Sequence, residues 1–414
     1  MFKTHRIFQG DRAIWTVFFF LCLISLIEVF SAASMLSYKA GSFWDPLIKQ
    51  AIFLGIGTLV VIGIHNIPCR YFKLLPMLLI PLSVILVLLA SLVGGDINGA
   101  GRWLKVAGVS IQPSEFAKGA MIITEAFILS FMQRKEGADP RAFKLILGFA
   151  VVLCGIIFAD NISTALMLFT VVFIMMFIGR IPMILMGKLL GVLALCAVAG
   201  FFVLKALPDD PKDPIYDKPL MGRMATAKAR VEKFGEQTKI TNPEDFDMDR
   251  DAQVGHAHIA IASSNGVGLM PGNSVERDYL SHADCDFIYA IIIEEMGLWG
   301  AFGVIFLYTV LLIRAGRIAS RCERNFPAFL VMGLALLLVF QAILNMLVAV
   351  GIFPVTGQPL PLISRGGSST LINCAYIGMI LSVSRYARKT EQPIPQPTED
   401  SEVVEEFYSD KNLQ

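Results

Sequence analysis

Apolar residues gather into ten runs along the chain, roughly 13–33, 47–66, 72–94, 114–134, 143–159, 161–179, 183–205, 286–315, 327–352 and 366–385. Each has about the length of a helix that crosses a hydrocarbon core, which takes about 20 residues. The fifth and sixth are separated only around Asp160, so they form a tight helical hairpin. The first run is too long and too poorly flanked for a cleaved signal peptide. The pattern therefore predicts an all-α polytopic membrane protein with ten transmembrane helices.

Three hydrophilic regions interrupt the pattern. The first is a loop over 95–113. The second, 206–285, lies between the seventh and eighth runs and forms a large extracytoplasmic loop. It opens on a Pro/Asp cluster and carries a basic, helix-like run at 223–234 and an acidic patch at 244–251. It turns apolar again at His258–Ala262, too short to span, which predicts an interfacial or re-entrant helix. The third, 390–414, is rich in Pro and Glu and reads as a disordered tail. The organisation is thus a short N-terminus (1–12), a membrane domain (13–389) and a tail. No internal repeat is evident, and with it no inverted symmetry of the kind common in secondary transporters.

Composition agrees: 55% of residues are hydrophobic, mean hydropathy is +0.64 and only 17% are charged. Orientation follows from Lys and Arg in the short connections. Eighteen lie on the side of the N-terminus and five (Lys39, Lys49, Arg102, Lys105 and Arg365) on the other. Both termini are therefore expected in the cytoplasm and the protein in the cytoplasmic, or inner, membrane. A net charge of +1 gives no reason to expect a nucleic-acid partner. The seven cysteines are scattered without metal-type spacing, and only Cys285 falls on the outer side.

The most telling stretch is Gly351 to Ser368, with three prolines, four glycines and one arginine between two apolar runs. Proline removes a backbone donor and glycine weakens helices, so this segment is not a regular helix. Irregular backbone at membrane depth is tolerated where protein buries it or water bathes it, which points to a cavity.

Several polar residues cluster toward that side, each with two readings. Asp286, where the long loop meets the eighth run, is placed to act as a base, or as a helix N-cap. The Asp284-Cys285-Asp286 pattern resembles paired carboxylates that hold Mg²⁺ against a pyrophosphate. Glu115 and Lys118 are spaced for a local ion pair, or for a charged group in a cavity. Arg365, Ser368 and Ser369 lie where backbone amides receive an anion, or where a turn shapes the cavity. Glu294 and Glu295 face different directions, so at most one lines the cavity that Asp286 faces, and Glu295 is favoured. Glu28 is a costly charge inside the first run, without a firm role. His256 and His258 do not share a helix face and are not read as a metal pair.

Four stretches together resemble one family, the shape, elongation, division and sporulation (SEDS) polymerases, of which FtsW and RodA are the best-known branches. They are Asn98 to Lys105 with Gln112 to Lys118; Asn273-Ser274 with Asp286 to Ala290 and Glu294 to Gly297; Asn345 with Gly351; and Pro354 to Pro361 with Ser364 to Ser369. Ser31 to Ser34 also fits. The chain departs from the family at Leu280 to Cys285, where Leu-Pro-Glu-Ala-His-Thr is usual, and at Arg365, where tyrosine is usual. Gln358 and Arg365 resemble the division-type, FtsW-like branch.

The resemblance implies a peptidoglycan glycosyltransferase that polymerises lipid II on the outer face of the cytoplasmic membrane during cell division. Its substrates would be lipid II and undecaprenyl-pyrophosphate-linked glycan, its partners a class B penicillin-binding transpeptidase and divisome proteins. Asp286 matches the position of the family's essential aspartate; its carboxylate suits a base, and a divalent cation (Mg²⁺ or Mn²⁺) is expected near it and the substrate phosphates. Arg102, Trp103, Lys118, Glu115, Asn273, Ser274, Glu295, Arg365, Ser368 and Ser369 would contact substrate. Trp103 also suits an interfacial aromatic belt. Two rival classes fit the same composition: a lipid II flippase, and a scaffold without catalysis.

Overall fold

The computed structural model describes residues 8–32, 44–93, 104–106, 109–206, 248–280 and 283–389, with a few isolated positions between 208 and 235. Arg102, Trp103, most of the basic and acidic patches of the long loop, and the tail 390–414 lie outside the described residues.

The fold is almost wholly helical. In chain order the long helices are α1 (Arg12–Ala32), α2 (Asp45–His65), α3 (Leu75–Val93), α4 (Pro113–Phe131), α5 (Pro140–Asp160), α6 (Ile162–Ile178) and α7 (Met183–Ala206). They continue with α8 (Met248–Ser263), α9 (Ile288–Ser320), α10 (Asn325–Ala349) and α11 (Gly367–Lys389). Eight helices among the described residues are long and apolar enough to cross a membrane. Of the other two sequence-predicted spans, α6 has 17 residues, and α4 carries Glu115, Lys118 and Glu125.

Burial explains how α4 tolerates those charges. All three side chains are fully buried, because α4 sits inside the bundle against α3, α10, α5 and α6. In α7, by contrast, 6% of the apolar window is buried within the protein, against 78% in α11. An apolar helix left bare by its own chain belongs at the periphery, facing hydrocarbon.

Local chemistry sets the joints. Asn161 breaks the α5–α6 hairpin in extended backbone and caps α6, its side chain accepting from the Thr164 amide at 3.2 Å. A short antiparallel hairpin, β1 (Leu104–Val106) with β2 (Val109–Ile111), leads into Pro113 at the first position of α4. The short helix predicted at 258–262 is α8, beginning ten residues earlier at Met248 and packed against α9.

Helix α9 is broken at Gly297, with φ +64° and ψ −158°. The break frees the carbonyls of Glu294 and Glu295. The loop after α8 supplies their donors: the Leu269 amide at 2.9 Å and the Met270 amide at 2.8 Å. In return the Leu298 amide donates to the Gly266 carbonyl at 3.0 Å. A β-carbon on Gly297 would lie 2.4 Å from the Val267 carbonyl carbon.

Candidate functional site

The segment 351–366 crosses the end of the bundle as irregular backbone, and four of its carbonyls are each met by a buried side chain. Gln341 Nε2 donates to the Pro359 carbonyl at 3.0 Å and Asn345 Nδ2 to the Gln358 carbonyl at 2.8 Å. Tyr308 donates to the Pro361 carbonyl, and Ser25 to the Ile363 carbonyl at 2.8 Å. Four buried side chains from α1, α9 and α10 thus replace the helical partners that Pro359 and Pro361 preclude. A buried carbonyl without a donor costs about 1–3 kcal/mol, so these four bonds hold the segment in place.

Asp286 lies under that segment, half-buried. The N-cap position of α9 belongs to Phe287, which makes no side-chain cap bond, so Asp286 is not the N-cap. Asn345 fixes its backbone, donating from Nδ2 to the Asp286 carbonyl at 2.9 Å. The same amide nitrogen bonds Gln358, so α10 ties Asp286 to the segment above it. Gly357, with φ +69°, faces the carboxylate: a β-carbon there would sit 3.8 Å from Asp286 Oδ2.

Asp284 has a different role from Asp286. Its carboxylate accepts from Arg365 Nη1 at 2.8 Å, and its carbonyl accepts from the Arg365 amide at 2.9 Å. Ser364 donates to the Cys285 carbonyl at 2.6 Å, and the Cys285 thiol to the Arg365 carbonyl at 3.2 Å. Burial first, then the Asp284 and Asp286 carboxylates, push that thiol well above its ordinary range. Such a thiol is a poor nucleophile at neutral pH. Among the described residues no group of three or more His, Cys, Asp or Glu is arranged to hold a metal.

Lys118 and Glu115 form a fully buried ion pair, 2.7 Å apart. The ammonium also donates to Gln341 Oε1 at 2.6 Å. Since Gln341 Nε2 holds Pro359, one amide side chain links the charged pair to the segment over Asp286. Tyr376 of α11 donates to the Glu115 carbonyl at 2.7 Å. Ser368, at the start of α11, accepts from the Gln112 amide at 3.3 Å, and Ser369 donates to the Gly366 carbonyl at 3.2 Å.

The remaining residues singled out in the sequence form a second cluster, around the break in α9. Glu294 accepts from the Ser274 hydroxyl and from the amides of Val275 at 2.9 Å and Glu276 at 3.2 Å. Glu295 accepts from the Ser31 hydroxyl and from the Ser274 amide at 3.3 Å. Asn273 turns back to the Leu269 carbonyl at 2.9 Å. Arg277 closes the group on Ser31 at 3.1 Å. The structure thus brings Asn273, Ser274 and Glu295 together with one another, clamping the loop after α8 to α1 and α9. It brings Asp286, Arg365, Ser368, Ser369, Glu115 and Lys118 together at the ends of α4, α9, α10 and α11. Both oxygens of Glu28 are buried without a hydrogen-bond partner, as are those of Glu125.

Sequence reading passed over Gln341, Tyr308 and Thr164, whose hydroxyl accepts from Gln358 Nε2 at 2.6 Å. A signal for Gln341 existed: it stands four residues before Asn345, so two amide side chains share one face of an otherwise apolar helix. Polar residues within spans mark functional positions by default.

A family model described as cell cycle protein, covering FtsW, RodA and SpoVE, matches residues 11–389. The probable peptidoglycan glycosyltransferase FtsW of Nitrosococcus halophilus is 31% identical over 384 residues, 89% of this chain and 91% of that protein. Stage V sporulation protein E of Bacillus subtilis is 29% identical over 379 residues, 89% of this chain and 95% of that protein. Among solved structures, the rod shape determining protein RodA of Thermus thermophilus aligns with a TM-score of 0.62 at 23% identity, covering 91% of this chain and 97% of that one. A chain from a study of the structural coordination of polymerization and crosslinking by a peptidoglycan synthase complex aligns with a TM-score of 0.70 at 24% identity, covering 91% and 98%. At those identities the solved structures show the fold.

Proposed function

We propose, from the premise that this chain belongs to the FtsW, RodA and SpoVE family of cell cycle proteins, that it is a division-type glycosyltransferase polymerising lipid II into peptidoglycan strands. The observation that carries the reading is the Asp286 carboxylate, at the end of the bundle opposite the termini, facing Gly357 with its backbone held by Asn345. Eight apolar helices, with α4 and α6 counted as two further spans, and the excess of Lys and Arg on the side of the termini support an outer-face location for that end. Relatives named peptidoglycan glycosyltransferase support the reaction class.

Asp286 takes the proton from the acceptor sugar's 4-hydroxyl. That oxygen attacks the anomeric carbon of the growing strand's terminal sugar from the side opposite the pyrophosphate. The carbon–oxygen bond to undecaprenyl pyrophosphate breaks, and the configuration inverts. Arg365 is bound to Asp284 through Nη1 and is 37% exposed, which leaves further donors for the pyrophosphate. Arg102 supplies a second cation and Trp103 a stacking face. Lys118, paired with Glu115, orients Gln341 and through it the Pro359 carbonyl over the site, and its dipole with Glu115 is fixed in advance of the reaction. Ser368 and Ser369 line the start of α11 where that anion lies. Asn273, Ser274 and Glu295 act through the loop after α8, which they clamp to α1 and α9.

Asp286 is also the residue that would hold a divalent cation, since its carboxylate stands half-buried beside Gly357. One carboxylate plus substrate phosphate oxygens and water is a usual Mg²⁺ environment, and the ion would neutralise pyrophosphate charge there. A class B penicillin-binding transpeptidase and divisome proteins are the proposed partners; the fold shared with a chain of a peptidoglycan synthase complex supports the first.

The direct test is polymerisation of labelled lipid II by purified protein in detergent, alone and with its transpeptidase. Glycan ladders are expected. Their absence under both conditions, with the complex intact, would favour a lipid transporter or a scaffold.

The buried ion pair gives a second test. Glu115→Gln leaves a buried ammonium with neutral amide oxygens and no counter-charge, and lowers stability by about 3 kcal/mol. Adding Lys118→Met removes the stranded charge and recovers most of that loss, while polymerisation stays at least about tenfold down. Melting curves and ladder intensities separate the two effects. A double variant as active as the wild type would leave the pair a structural role alone.

A further inference from the structure

A cavity of about 560 Å³ opens at the end of the bundle opposite Asp286, between the turn Cys69–Leu74, the α9–α10 connection and the last turns of α11. Arg70, Lys73, Arg321 and Arg324 line it, against the single acid Glu323. Its floor is apolar, with Phe326 and Val383 each 1% exposed. The Lys73 ammonium stands 5.7 Å from the centre of the Phe326 ring. Helix α10 begins at this cavity with Arg324 as N-cap, no side-chain cap bond and no acidic residue in its first turn. The partial positive charge of that terminus adds to the four cations.

The positive-inside bias accounts for basic residues at this end but not for their convergence. Lys135, Lys144 and Lys188 are exposed at the same end and line no part of the cavity. A concave site with four cations over an apolar floor selects an anion that carries hydrocarbon.

The other side of the same turn shows where the hydrocarbon goes. Ile67, Tyr71, Phe72 and Leu75 begin an apolar groove of about 490 Å³ that continues between α4 and α11 to Ala375 and Met379. A charged pocket beside an apolar groove matches an amphiphile at the membrane surface. Basic pockets between helices on the cytoplasmic side are known hosts for anionic headgroups.

We propose that this cavity binds the headgroup of an anionic phospholipid of the adjacent leaflet, with Lys73 and Arg324 as principal contacts and an acyl chain along the neighbouring groove. The assignment to the cytoplasmic leaflet rests on the orientation proposed above; the site itself does not. Anionic lipid would then brace the α9–α10 connection against α11, at the opposite end from the reacting atoms.

The test uses the full chain in detergent, titrated with phosphatidylglycerol and read by native mass spectrometry of bound lipid, a readout independent of polymerase activity. Each basic residue near an anionic lipid contributes about fivefold, so Lys73→Gln with Arg324→Gln is expected to weaken binding about thirtyfold. The control pair Lys135→Gln with Lys144→Gln removes equal charge from the same end and is expected to change it less than about twofold. Unchanged melting without lipid shows that the variant is folded. Should it not fold, Arg70→Gln with Arg321→Gln is read in the same way. Equal losses in the control pair would reduce the effect to surface potential and overturn the site. So would equal binding of phosphatidylcholine. Displacement of the lipid by millimolar inorganic phosphate, or by an acidic peptide copied from 390–414, would overturn the lipid assignment in favour of that ligand.

Discussion

Asp286→Asn yields a folded protein that still binds its transpeptidase and forms no glycan ladder, its rate lowered by about 10³-fold or more. The substitution keeps size and shape and removes the one carboxylate facing Gly357. The backbone at 286 is held by Asn345, and the helix that follows starts at Phe287 without a side-chain cap, so neither depends on the lost charge. A melting curve matching that of the wild type makes loss of activity report on chemistry rather than on folding. The measurement is ladder formation from labelled lipid II at matched concentrations of folded wild type and variant. Ladders of equal intensity would remove Asp286 from the reaction.

Gly297→Ala is expected to destabilise the protein by about 4 kcal/mol or more, with a correspondingly lower melting temperature in detergent. Two costs add. The conformation, φ +64° with ψ −158°, is one that glycine alone adopts readily. The new methyl would also lie within 2.6 Å of Val267 and Gly266 backbone atoms, so the loop would have to withdraw. Retreat of that loop would break the bonds from Leu269 and Met270 to α9 and loosen the clamp at Ser274, Glu294 and Glu295. Protease cleavage between 264 and 280 should therefore rise together with the fall in melting temperature. A variant that melts like the wild type and resists cleavage would show that the break in α9 can straighten without cost.

The two largest effects differ in how far they can be read from the chain. Hydropathy depends on neighbours in sequence, so the runs, the charge bias and the irregular stretch 351–366 were all visible in the residues alone. So was Asp286, because it stands at the border of a run and inside a recognisable pattern. The same reading joined Glu295 to the cavity of Asp286, yet its carboxylate meets Ser31 and Ser274. It left open whether Asp286 capped a helix, which the start of α9 at Ile288 decided.

What the sequence determined by itself is an all-helical polytopic membrane protein, its expected orientation and the family pattern, because each rests on local composition or on short ordered strings of residues. What only the tertiary structure decided is which buried polar group satisfies which other. Lys118 meets Gln341 across 223 residues, and Ser25 meets the Ile363 carbonyl across 338. A buried donor must find an acceptor somewhere, but chain order does not say where; the packing of α1, α4, α9 and α10 around the segment at 351–366 does.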